Sequence, residues 1–492
     1  MRSCDTCIRE VQVIDGSGSE PYVADVAFEG DAICGVGSLG GFSARTVIRG
    51  EGMALAPGFI DVHTHDDLEV IRNPGMLAKL SQGVTSVVVG NCGISAAPVR
   101  LTGEPPDPMN LLGSAAEFQY PEFAAYTAAV RAVSPATNVA ALVGHTSLRN
   151  NCMDRLDRVA TKSELEWMRA QLRAALEQGA FGLSTGLAYK SANAATTEEV
   201  LALGELLAEA DALYTTHLRS EADTILDAMN EAFLIGRQCK VPVVISHLKC
   251  AGIANWGRSG EVLQRLDAAR AAQPVSCDCY PYAASSSTLD LRQVDERIQI
   301  MITWSNSHPE LAGRTLAEIA AEWRMSQREA AQRLQPAGAI YHGIFEDDMR
   351  SILRHPATMI GSDGLPGDPR PHPRLWGTFP RVLGLYSREL RLLPLSVAVH
   401  KMTGMPASRF GLAGRGLIRE GHFADVVLFQ PELVRDAATF ANSTRKAEGI
   451  AAVWVNGVGS YKDGQPAGAH GGRLLSRAVR STHGSYDAFQ PQ

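Results

Sequence analysis

The sequence lacks a basic tract: 46 Lys and Arg stand against 53 Asp and Glu, a formal net charge of −7. A nucleic-acid or anionic-membrane partner therefore has no electrostatic support. No apolar run is long enough to span a bilayer. Met1 to Gly16 mixes acidic and basic residues without a continuous apolar core, so no secretory signal is read there. Nine cysteines, an odd number scattered over 492 residues, make no disulfide framework and predict reduced thiols in a cytoplasmic compartment. Cys4 and Cys7 have CxxC spacing, but without a second pair or a nearby histidine they are expected to be incidental thiols. At 45% hydrophobic and 20% charged residues the chain is neither disordered nor fibrous. What remains is small-molecule chemistry. Oligomeric state is not legible.

Strand-like runs at Val11–Ile14, Val23–Phe28 and Ile33–Val36, separated by Gly-containing turns, predict a small β unit. The pattern returns at Ala424–Phe429 and Ile450–Val455, the latter followed by the hairpin signal Asn456-Gly457, so the two chain ends are expected to pair in one sheet domain. Between them eight apolar runs that stop at polar residues alternate with helical patterns, as parallel βα units do. They are Pro57–Asp66, Thr85–Ser95, Asn138–Arg149, Ala180–Tyr189, Leu213–Glu221, Val241–Cys250, Val275–Tyr282 and Thr358–Leu365. Capping boxes are expected at Thr161/Glu164 and Thr196/Glu199. Eight such units predict an α/β fold, a (β/α)8 TIM-like barrel with its chemistry at the C-terminal strand ends. The long gap before the last strand carries two more boxes, Thr315/Glu318 and Ser326/Glu329, and is read as an inserted lid. The expected division is 1–56 plus 416–475 for the end domain, 57–415 for the barrel and 286–345 for the lid.

Strand one ends Asp61-Val62-His63-Thr64-His65, and residues two apart on a strand share a face. Two such histidines can hold one metal or can be buried and hydrogen-bonded; their place at a barrel mouth favours the metal. Cys92, His217, His247 and Asp363 stand at the ends of strands two, five, six and eight. A thiolate among imidazoles is a borderline-soft set that favours zinc over magnesium or calcium. Asp363 is placed to act as a general base, and a metal beside it polarises an acyl oxygen, so hydrolysis of an amide or related carbonyl is the expected reaction. Lys249, Tyr280 and Arg374 on the same rim are suited to a substrate carboxylate. Tyr189 is read as a substrate contact or a packing residue, and His145 as structural or supporting.

The segments APGFIDVHTHDD (Ala56 to Asp67), QGVTSVVVGNCGIS (Gln82 to Ser95), ISHLKCAG (Ile245 to Gly252) and IGSDGLPGDPRPHPRLWGTFPRVLG (Ile360 to Gly384) closely resemble the N-acyl-D-amino-acid deacylases of the amidohydrolase superfamily. The likeness runs over nearly the whole chain. It implies a zinc-dependent barrel flanked by a β-sandwich of both chain ends, with a small domain inserted over the site. By the same likeness Cys92 stands where many relatives carry a carboxylated lysine. Cys92, His217 and His247 would hold a tight zinc, and His63 and His65 would complete a second, weaker position. Asp363 would be base and then acid, and Lys249, Tyr280 and Arg374 would bind the α-carboxylate. The D preference comes from the resemblance alone. Lys190 or Arg292 offers a partner to an acidic side chain, whereas Met301 stands where D-glutamate-selective relatives carry an arginine, so neutral or apolar D-residues are expected. The alternatives are an N-acyl-D-glutamate or N-acyl-D-aspartate deacylase, a cyclic-amide hydrolase of the dihydroorotase or hydantoinase kind, and an inactive metal-binding homologue.

Overall fold

The computed structural model describes residues 2–477; Met1, at the start of the expected end domain, lies outside them. In chain order the strands are β1 (Arg2–Val13), β2 (Tyr22–Glu29), β3 (Ala32–Gly37), β4 (Phe42–Arg49), β5 (Ala54–Pro57), β6 (Phe59–Asp61), β7 (Val84–Val89), β8 (Asn138–Ala141), β9 (Val143–Gly144), β10 (Gly182–Gly186) and β11 (Leu213–His217). They continue with β12 (Val243–Ile245), β13 (Val275–Cys279), β14 (Ser285–Thr288), β15 (Ile300–Ser305), β16 (Ala337–Tyr341), β17 (Thr358–Ile360), β18 (Val426–Phe429), β19 (Ile450–Val455), β20 (Val458–Lys462) and β21 (Gln465–Pro466).

The two chain ends pair, as the alternating runs predict. By hydrogen bonding they form one nine-stranded sheet, in which β18 lies antiparallel to β5. The long β1 carries β2 on one edge and, on the other, β4 along its first half and β5 at its end. The Asn456-Gly457 turn joins β19 to β20 with both residues in the left-handed region, φ 47° and 76°, the conformation a two-residue hairpin needs. Strands β4, β20 and β21 carry no alternation clear enough to be anticipated, and β4 is mostly exposed.

The eight βα runs form parallel ladders. One sheet has the order β17-β13-β12-β11-β10-β9 and the other β6-β7-β8, with Leu142 alone separating β8 from β9. A parallel bridge between Thr64 and Gly364 brings the outer runs β6 and β17 together. Because the ladders are parallel, all their C-terminal ends face one mouth. Nearly every residue of these strands is buried, as expected where both faces are covered. The third run stops early: the structure has a helix, His145–Cys152, where a strand continuing to Arg149 was expected. The ladder ends at Gly144, opposite Ser184, and the chain turns so that His145 Nε2 and Arg149 Nη1 both reach Glu199, at 2.8 and 2.5 Å. Against the opposition of burial, His145 and Arg149 push the Glu199 carboxyl down to about 2. Glu199 is therefore not free to close the box with Thr196, which keeps only the Thr196 half. The boxes at Thr161, Thr315 and Ser326 are complete.

Between β13 and β17, strands β14, β16 and β15 make a small antiparallel sheet covered by the helices Leu316–Trp323 and Gln327–Leu334. Its core, including Leu289, Ile302, Leu316, Ile319 and Leu334, is separate from that of the parallel strands.

Close backbone approach fixes one corner of the mouth. A Cβ on Gly186 would stand 2.1 Å from the carbonyl oxygen of Cys92. Gly186→Ala is therefore expected to cost about 1–3 kcal/mol in urea unfolding, the range for overpacking, and to displace Cys92; an unchanged midpoint would show that this contact yields freely.

Candidate metal centre and active site

Three side chains reach the centre from left-handed backbone. Cys92, His247 and Asp363 have φ of 53°, 36° and 50°, and a non-glycine residue there costs about 1–3 kcal/mol. Each follows the end of a parallel strand, where the left-handed turn swings the side chain back over the mouth. Such strain persists only where the surroundings over-determine it.

The surroundings do so here. Cys92 Sγ lies 3.2 Å from His63 Nε2 and 3.3 Å from His247 Nε2. Asp363 Oδ1 lies 3.1 Å from His65 Nε2 and 3.5 Å from His63 Nε2. Donor atoms of His63, Cys92, His247 and Asp363 all fall within 4.8 Å of one another. His217 stands at the edge of this group: its ring meets that of His247 edge-on at 4.4 Å, and it forms a second cluster with His247 and Glu221. The Cys92 thiol touches His217 and His247, the expected set, and His63 stands against the same thiol. His217 also lies 3.6 Å from Glu221. Tyr189 stacks beside His217 with ring centroids 4.8 Å apart, and it lines the cavity.

Lys249 donates to Glu221 Oε1 at 2.5 Å and lies 2.9 Å from His247 Nδ1. Arg374 does not line the cavity; it is buried behind the centre, with Nη1 2.8 Å from Asp363 Oδ2, Nη2 donating to the Ser286 carbonyl, and its guanidinium 4.6 Å from the Tyr280 ring centroid. The Tyr280 hydroxyl, His65 Nδ1 and His217 Nδ1 are buried and have no hydrogen-bond partner among the described residues. His145 lies with Glu199 and Arg149 and takes no part in the centre.

Burial opposes charge on Cys92, Asp363 and His65, and their neighbours overcome it. His63 and His247 hold the Cys92 thiol well below its ordinary value, and Arg374 and His247 do the same for the Asp363 carboxyl. Asp363 and Cys92 push His65 up to about 9. Thiolate and carboxylate together draw positive charge to this point, whether protons or a metal cation. The donor set fits zinc. Zinc bonds of about 2.0–2.3 Å to N, O and S set tetrahedral donors roughly 3.3–3.8 Å apart, close to the spacings found.

The centre forms the floor of a cavity of about 810 Å³. Its walls come from the strand ends and from the inserted segment, including Ser287, Asp290, Arg292 and Ile298. Two acids were missed from sequence. Glu221 accepts from Lys249 and lies 2.9 Å from His247 Nδ1, and Asp278 lies 3.3 Å from His63 Nδ1 while accepting the His247 backbone N–H. Both had a signal: Glu221 is four residues past His217, and Asp278 shares a strand face with Tyr280 by the two-residue period.

Residues 46–461 match the Amidohydrolase family. The chain is 48% identical over 467 residues to a D-aminoacylase of Alcaligenes xylosoxydans xylosoxydans, covering 95% of this chain and 96% of that one. Against the N-acyl-D-aspartate deacylase of the same organism identity is 47% over 466 residues, covering 94% and 93%. Against its N-acyl-D-glutamate deacylase identity is 45% over 474 residues, covering 96% of each. A crystal structure of D-aminoacylase superposes with a TM-score of 0.95 at 48% identity, covering 96% of this chain and all of that one. The N-acyl-D-glutamate deacylase of Bordetella bronchiseptica, complexed with zinc and a phosphonate mimic of the tetrahedral intermediate, gives 0.93 at 45%, with the same coverage. No helix among the described residues is long and apolar enough to cross a membrane.

Because Glu221 compensates the buried Lys249 ammonium, Glu221→Gln should destabilise the metal-free protein by about 3–5 kcal/mol, the cost of breaking a buried pair. Urea unfolding in chelator measures it, and a loss under 1 kcal/mol would show that Lys249 finds another partner.

Proposed function

The chain belongs to the amidohydrolase family, in the group of the N-acyl-D-amino-acid deacylases, and we propose that it hydrolyses the amide bond of N-acyl-D-amino acids to a D-amino acid and a carboxylate. The observation that carries this is the meeting of His63, Cys92, His247 and Asp363 at one point, where His247 and Asp363, with His65 and His217, also line a substrate-sized cavity. We assign the parallel strands to a closed (β/α)8 barrel spanning 57–415, the paired chain ends, 1–56 with 416–475, to a sandwich-like domain, and 286–345 to a lid.

Zinc is the metal this donor set suits. Cys92 and His247, with His217 beside them, would hold a tight ion, and His63 and His65 a second, weaker one. When bound, zinc supplies Lewis-acid polarisation of the amide carbonyl and of the attacking water. The chain's own groups do the rest. Asp363 is kept as a carboxylate by Arg374, which makes it an acceptor for the proton of the attacking water. The same carboxyl then passes that proton to the leaving nitrogen. The unpartnered Tyr280 hydroxyl and the Lys249 ammonium orient the substrate α-carboxylate, with Arg374 behind them adding charge. Tyr189 closes the opposite wall, and the inserted segment excludes water.

The D preference rests on the three relatives. For the side chain, identities of 48%, 47% and 45% do not separate the candidates, and the lining of the cavity supports the neutral or apolar reading. Arg292 is clasped by Asp290, with Nε at 2.9 Å and Nη2 at 2.6 Å from Oδ2, and also donates to the Ala188 carbonyl. Asp107, Asp295 and Glu296 line the same space, and the exposed Lys190 borders a neighbouring pocket. An acidic side chain would meet acids there. Neutral or apolar D-residues are the proposed substrates, and D-glutamate and D-aspartate derivatives the second reading, kept open by the near-equal identities.

Three measurements test this. On N-acetyl derivatives of D- and L-Met, Leu, Glu and Asp, kcat/KM is expected to favour D-Met and D-Leu by about 10²-fold or more over the rest; highest activity on D-Glu or D-Asp would install the second reading. Asp363→Asn should lower kcat by about 10²- to 10⁴-fold, the worth of a general base, while zinc stays bound. Cys92→Ala should instead lower the zinc content found by elemental analysis, and full retention would remove Cys92 from the ligands.

A further inference from the structure

Lys79 belongs to none of the motifs above, yet it is among the most deeply buried charges of the chain, 1% exposed on the short helix Leu77–Leu80. Its ammonium donates to Asp61 Oδ2 at 2.8 Å and to Ser362 Oγ at 3.0 Å, and pairs in charge with Asp66 Oδ2 at 3.2 Å. Asp61 and Ser362 are fully buried. Two carboxylates against one ammonium is a poor bargain for stability alone, since buried ion clusters are commonly no better than apolar packing of the same volume.

What the cluster does have is position. Asp61 lies two residues before His63, and its Oδ1 accepts the backbone N–H of Ser362 at 2.8 Å and that of His63 at 3.4 Å. The Ser362 hydroxyl accepts the Gly364 N–H at 3.2 Å, and the Asp363 N–H donates to the His63 carbonyl at 2.8 Å. First and last strands of the parallel set are thus stitched together directly beneath the histidine pair on one and the carboxylate on the other. The Lys79 side chain grips both strands from outside their own backbones. We propose that Lys79 is a positioning residue: by holding Asp61 and Ser362 at once, it fixes the spacing between the His63–His65 pair and Asp363.

The inference rests on the deacylase reading for its kinetic readout but not for its metal readout. Lys79→Met and Ser362→Ala are made in the full chain and compared with wild type as zinc and cobalt(II) enzymes, with N-acetyl-D-methionine as substrate. Both are expected to fold, by circular dichroism and thermal unfolding. Expected for each are a fall in kcat of about 10²-fold, as for a misplacement near 1 Å, with KM within about twofold, and cobalt(II) binding weaker by about 10- to 100-fold, as when support behind a ligand is lost. The cobalt(II) absorption bands should shift as well. Wild-type bands and affinity in both variants would overturn the proposal, as would a loss of activity that only follows the folded fraction. If Lys79→Met does not fold, Ser362→Ala decides by the same criteria. Absence of wild-type turnover would sink the deacylase reading alone, and the cobalt(II) comparison would still decide the role of Lys79.

Discussion

A thiolate and a carboxylate, both buried, stand within a few ångströms of each other at the mouth of the parallel strands. Each anion taken from water costs several kcal/mol unless it is paired, and this need governs the residues around them. Cys92 is answered by His63 and His247, and Asp363 by Arg374 and His65. The answering groups are themselves supported: His63 by Asp278, and Lys249 and His247 by Glu221. The centre is therefore a nested set of charges of alternating sign. A cation placed among the inner donors satisfies the same demand that the imidazoles and guanidinium meet from outside.

Backbone strain belongs to the same account. Three of the converging residues occupy left-handed turns that a glycine would adopt freely. Glycine offers no donor atom, so the chain retains Cys, His and Asp there and the packed strand ends hold them in place. Gly93, directly after Cys92, lies so close to Gly186 that a Cβ there would stand 2.6 Å from the Gly186 nitrogen.

Legibility in the sequence followed the reach of the interactions. The eight runs, the hairpin turn and three of the four capping boxes are local patterns, and they were readable as such. The HxH pair, Cys92, His247 and Asp363 could be placed because parallel strands deliver their C-terminal ends to one mouth. That His63 stands against the thiol together with His217 and His247 was not readable, because it depends on side-chain direction across the mouth rather than on spacing. Glu199 shows a second limit: a sequence-perfect box lost its return bond to a histidine and an arginine far away in the chain. Arg374 shows a third: its contacts with Asp363 and the Tyr280 ring are tertiary and follow from no spacing. Buried charge pairs are set by tertiary contacts across dozens or hundreds of residues, and no periodicity announces them.

The inserted segment joins this charge logic to selectivity. It folds on its own apolar core, so its loops toward the mouth need not pack, and they carry polar residues instead. Asp290 neutralises Arg292 within the segment, while Lys249 and Tyr280 line the cavity at the strand ends with Arg374 stacked on the Tyr280 ring. On the proposed reading, recognition of the α-carboxylate is built into the strand ends, where chemistry requires fixed geometry. On the same reading, choice of side chain falls to the insertion, where substitution leaves the proposed metal ligands and base untouched. Chains of this family that differ in the D-residue they accept can, on this arrangement, keep the same floor and exchange only the wall.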